Sequence, residues 1–182
     1  MRLFTGASGT AAYAINARGD IVGPYVDGSH KAHGFLRSPG HAPVPVSGTF
    51  SNTLSPVSVR QVDGNTVTDF TFHEQLSGSI AGTRVGTGTL VVHPDGTLTV
   101  EDVGVFTGTV AGRPGSVNAE VRGRGTFASL IATARFESGS GTGGLRGLRG
   151  PVKVTGAATG PTTLAGSYEG QGRFEAAAAD DD

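Results

Sequence analysis

Phe70-Thr71-Phe72-His73-Glu74-Gln75-Leu76 is the stretch of this chain best suited to acid–base chemistry. Side chains of an extended strand alternate between its faces, so Phe70, Phe72, Glu74 and Leu76 share one side. Where that side points inward, Glu74 is a carboxylate among apolar neighbours. Burial disfavours its charged form, raises its pKa and suits it to donating or accepting a proton. Two plainer arrangements fit the same residues: Glu74 at the mouth of a barrel, or Glu74 paired with Arg84 on a neighbouring strand. His73 faces away from Glu74, so the two cannot form a dyad. Asp102 shares a face with Leu98, Val100, Gly104 and Phe106 and is the second candidate acid, although a bulge would turn either carboxylate outward. The expected site therefore has Glu74 and Asp102 as catalytic groups and Phe70, Phe72, Val100 and Phe106 as its apolar lining. Tyr168, on the face of Leu164 and Gly166, adds an inward phenol that donates a hydrogen bond.

Other chemistries lack their parts. The chain has no cysteine, which excludes disulfides, thiolate catalysis and cysteine-bound zinc. Its five histidines are scattered, and the H-x-x-H of His30 and His33 sits in a turn-rich stretch without a third ligand nearby. No serine occupies a G-x-S-x-G elbow leading into a helix. Gly139, Gly141 and Gly144 spell G-x-G-x-x-G, but Gly147, Gly150 and Pro151 forbid the helix whose N-terminus would hold a pyrophosphate. No metal and no cofactor are expected. A net charge of −1 gives no electrostatic reason for nucleic acid or an anionic membrane as partner. No run approaches the roughly 18 apolar residues of a membrane helix, and Met1 to Gly9 lacks the apolar region of a signal peptide.

The elements that must position these residues are strands. Of 182 residues, 31 are glycine and only 16% are charged, and Thr and Val recur in runs broken by turn signals. Strands are expected at 46–54, 57–62, 66–77, 80–93, 97–110, 116–124, 126–137, 151–156 and 163–174. Several are long, as in hairpins tilted around a closed barrel. Val117 to Arg124 places small apolar residues on one side and Asn118, Glu120, Arg122 and Arg124 on the other, which leaves space inside. In 127–136, Leu130, Ala132, Ala134 and Phe136 share one face and Arg135 lies on the other. The glycine run Gly139 to Gly150 reads as a tight corner in the sheet. Before the barrel, residues 1–45 form a segment of short strands that ends in a proline-rich linker over 38–45. Within it, Arg18-Gly19-Asp20 is ordinary turn chemistry. Residues 176–182 read as a solvated tail.

Three resemblances bear on these elements. The string G-T-G-G-L-R-G-L-R-G, Gly141 to Gly150, resembles the G-T-G-x-F-x-G-A-R-G corner of allene oxide cyclases and dirigent proteins. Ile15, Asn16, Gly19, Ile21, Val22 and Gly23, followed by His33-Gly34-Phe35, resemble one unit of the HAF repeat, which usually occurs in tandem. From about 48 to 174, the motifs Pro94-Asp95-Gly96-Thr97, Phe106-Thr107-Gly108-Thr109-Val110, Gly112-Arg113, Gly115-Ser116-Val117 and Gly125-Thr126-Phe127 are similar to an uncharacterised bacterial family. That family is grouped by fold with the allene oxide cyclase barrels. The resemblance implies an all-β protein: an antiparallel closed β-barrel of about eight strands, allene oxide cyclase-like and calycin-type, over 46–175, with an N-terminal β-hairpin segment. The matching motifs lie in turns, so no site residue is carried over.

The function expected from these features is a β-barrel that binds an apolar or oxygenated small molecule and steers its cyclisation or isomerisation by confinement. The alternative is a non-catalytic structural or interaction module, with the HAF-like segment making the contact. A hydrophobic interior with room to spare and a buried acid favours the first; a solid barrel and an exposed apolar patch on residues 1–45 favour the second. Homo-oligomerisation through an exposed strand face is open.

Overall fold

The computed structural model describes residues 9–15, 21–37 and 43–174. The Arg18-Gly19-Asp20 turn, most of the proline-rich linker and the C-terminal tail lie outside the described residues. The chain divides into two compact units, Met1–His41 and Ala42–Asp182.

In the first unit, β1 (Gly9–Thr10), β2 (Ala14–Ile15) and β4 (Ala32–Arg37) all pair antiparallel with β3 (Ile21–Val26). The β3–β4 turn is organised by Asp27. Its carboxylate accepts hydrogen bonds from the Ser29 N–H, the Ser29 hydroxyl and the Lys31 N–H, and meets His33 Nε2 at 2.8 Å. These bonds hold the Asp27 carboxyl well below the usual carboxylate range.

The second unit is a closed barrel of eight antiparallel strands. They are β5 (Val44–Val62), β6 (Asn65–Gly78), β7 (Ile80–Val92), β8 (Leu98–Val110), β9 (Arg113–Thr126), β10 (Ser129–Phe136), β12 (Pro151–Ala158) and β13 (Thr163–Phe174). Each pairs with the next, and β13 closes the ring on β5 from Gly172 opposite Val44 to Thr163 opposite Thr53. Closure leaves no long sticky edge, which suits strands so rich in Thr and Val.

One end is plugged. The glycine run carries a three-residue 3-10 helix, Gly143–Leu145, and the short strand β11 (Leu148–Arg149), which pairs with β13. Leu145 and Leu148 are fully buried and pack with Val46, Ile80, Phe106, Val110, Val117, Val152, Tyr168 and Phe174. Hydrogen bonds tie the run along β9: Thr142 N–H to Ser116 O at 2.8 Å and Asn118 N–H to the Ser140 hydroxyl at 3.0 Å. What reads in sequence as a sheet corner is therefore the stopper of the barrel.

Two strand boundaries differ from expectation for identifiable reasons. β5 runs unbroken through Pro56, because its pairing with β13 ends at Thr53 and the missing proline N–H falls on the unpaired side. The pairing with β6 skips Val57, which is a β-bulge. The β9–β10 turn falls at Phe127 and Ala128, not at Gly125. Gly125 is needed inside the sheet instead: at φ 151°, a Cβ there would sit 2.1 Å from Ser129 O.

Candidate functional site

Between the plug and the opposite rim the barrel encloses a cavity of about 140 Å³. Its walls follow from alternation along each strand. Phe50, Asn52 and Leu54 of β5 face in, as do Phe70, Glu74 and Leu76 of β6, and Leu130, Ala132, Ala134 and Phe136 of β10. The small residues Ala119 and Val121 on β9 keep the space open, while Phe106 and Tyr168 rise from the plugged end as its floor. The rim is formed by the β9–β10 and β12–β13 turns, where Phe127 is half exposed and lies beside Gly160 and Pro161.

A charged cluster interrupts this largely apolar wall. Arg84 lies opposite Glu74 in the β6–β7 pairing, and its Nε donates to Glu74 Oε2 at 2.8 Å. Its Nη1 donates to Asp102 Oδ1 at 2.6 Å. All three are buried, at 8% (Glu74), 5% (Arg84) and 8% (Asp102) exposure. Removing three charges from water costs several kcal/mol per ion, and only their mutual attraction offsets it (~3–5 kcal/mol is lost when one partner goes). Burial would lower the Arg84 pKa, but the two carboxylates outweigh it and raise the value. For Asp102 desolvation wins over Arg84 and pushes the carboxyl above its ordinary range.

Glycines make the room for this trio. To reach Asp102, Arg84 crosses the rung Phe72–Gly86–Gly104, where neither glycine presents a side chain, and its guanidinium lies 4.5 Å from the centre of the Phe72 ring. A Cβ on Gly104 would come within 2.8 Å of Phe72 Cζ, and one on Gly88 within 2.6 Å of Phe70 Cζ and 2.7 Å of Asp102 Cβ. Beside the trio, Asn52 stands opposite Glu74 in the β5–β6 pairing, and its buried Oδ1 has no hydrogen-bond partner among the described residues.

Residues 46–178 match the family described as "Protein of unknown function (DUF3224)". The chain belongs to the DUF3224 family. A solved structure of a DUF3224 protein with unknown function, from Shewanella oneidensis MR-1, has the same barrel, with a TM-score of 0.62 at 21% identity over 75% of this chain and 100% of that one. That likeness speaks to the fold alone. No curated protein matches the chain.

Within this DUF3224 barrel, Glu74, Asp102, Phe70, Val100, Phe106 and Tyr168 all line one cavity. Phe72 is buried behind Arg84 and acts as its platform. Glu74 therefore both faces inward and pairs with Arg84. The Tyr168 hydroxyl is committed to backbone at the plugged end: it accepts from the Ile80 N–H at 2.8 Å, and its one O–H proton goes to the Ser77 or the Ile80 carbonyl, each 2.9 Å away. Its ring, not its phenol, faces the cavity. Arg84 entered the sequence reading only as a partner, and Asn52 did not enter at all. The spacing Phe50-x-Asn52-x-Leu54 carried the signal for Asn52, a polar residue in phase with two apolar ones. Among the described residues no group of three metal-binding side chains comes together, and no helix is long and apolar enough to cross a membrane.

Proposed function

We propose that the barrel binds a small apolar or partly oxygenated molecule through its open rim and hosts an isomerisation or cyclisation of that molecule. The observation that carries this reading is an apolar cavity of about 140 Å³ whose wall holds a buried carboxylate–guanidinium–carboxylate trio. Reactions of this class need no co-reactant. They need a substrate held in one folded shape and a group that moves a proton, and confinement supplies the first by removing unproductive conformers. Asp102, with its raised pKa, and Glu74 beside it are the groups for the second. The resemblance of the glycine run to the corner of allene oxide cyclases points the same way, since those barrels steer a reactive substrate by shape. It stays a likeness of fold, which hosts many chemistries.

A non-catalytic interaction module is the competing reading. Tyr13, Ile15 and Val22 of the HAF-like segment are exposed, and units of that kind usually stack on neighbours. Native mass spectrometry of the protein purified from its own host separates the two. A retained small molecule, bound more weakly by Glu74→Gln and Asp102→Asn, is the expected result. A clean apo mass that persists after incubation with lipophilic host extract would favour the interaction module.

A further inference from the structure

We infer that the cavity selects ligands carrying a hydrogen-bond donor, a hydroxyl or a protonated amine on a single small ring, and rejects the corresponding carboxylates. The inference rests on the barrel being a ligand site and concerns what that site accepts. Its size comes first. A cavity of about 140 Å³ is close to the roughly 150 Å³ apolar cavity that takes up benzene. Its polarity comes next. Asn52 Oδ1 is a buried acceptor with no partner among the described residues, and such an atom is costly until a donor arrives. Glu74 and Asp102 each give one oxygen to Arg84. Ionised carboxylates have acceptor capacity beyond one bond and no donor of their own. Charge completes the case. A ligand carboxylate would bring a further anion against Glu74 and Asp102 inside a poorly screened wall where burial already disfavours negative charge, whereas an ammonium or hydroxyl donates to them.

The register places these acceptors together. Asn52 faces Glu74 across β5 and β6, Glu74 faces Arg84 across β6 and β7, and Leu164 flanks Asn52 on β13. A ring resting on Leu164 and Phe50 would present its substituent to Asn52 and Glu74.

Four probes with one skeleton test this on the full chain: toluene, benzyl alcohol, benzylamine and benzoate, titrated at neutral pH by calorimetry with ligand-observed NMR. Benzyl alcohol and benzylamine should bind about tenfold or more tightly than benzoate, and more tightly than toluene. Asn52→Leu, close in volume and placed between Phe50 and Leu54, should narrow the gap between benzyl alcohol and toluene. Benzoate binding as well as the donors, or toluene matching benzyl alcohol, would overturn the donor selectivity and leave the cavity as a ligand site. Failure of all four to bind would overturn the ligand site itself, and the selectivity with it.

Discussion

Arg84 is a buried cation in a mostly apolar wall. Its guanidinium lies over Phe72, Phe106 stands opposite it on β8, and it is kept there by two carboxylates that also offset its burial. A well-packed apolar replacement of such a cluster is commonly neutral or stabilising, whereas loss of one partner alone is not. Arg84→Met should lower stability by about 3–5 kcal/mol, because it leaves two buried carboxylates facing each other. The triple variant Glu74→Leu, Arg84→Met, Asp102→Leu should recover most of that loss in urea denaturation and lose selective ligand binding. A triple variant as unstable as the single one would mean that the trio is needed for folding. At this scale the sequence was informative about facing but not about partners. The alternation of Phe70, Phe72 and Glu74 marks the inner face directly. That Glu74 and Asp102 converge on one arginine depends on the register set by the Gly78-Ser79 turn and on the side-chain gap at Gly86 and Gly104, which no single strand displays.

At the scale of elements, the glycine run divides the barrel into a solid half and an open half. The strands could be placed from alternation and turn residues, and their order around the barrel follows from simple hairpins. The plug could not. Leu145 and Leu148 stand three apart, a helical spacing, but the glycines around them and Pro151 forbid a helix there, and it is the bonds to β9 and the pairing of β11 with β13 that aim them inward. Likewise the break expected at Pro56 is absent, because pairing on one side suffices to carry a strand past a proline. If the plug and the cavity are separate devices, Leu145→Ala should cost about 2–5 kcal/mol of stability through the hole it leaves in the plugged end. Affinity of the folded variant for benzyl alcohol should change less than about threefold. A large loss of affinity at full folding would show that the plug shapes the site.

At the scale of the whole molecule, the DUF3224 barrel keeps apolar space that its own side chains do not fill. Closure, small residues on β9, and glycines behind Phe70 and Phe72 all serve that one outcome. The most direct measurement is diffraction from crystals pressurised with xenon, which enters dry apolar cavities and leaves packed cores alone. A strong xenon peak is expected inside the barrel, ringed by Phe50, Phe106, Leu130 and Leu164. A barrel that takes up no xenon, its interior closed by repacked side chains, would contradict that unfilled space.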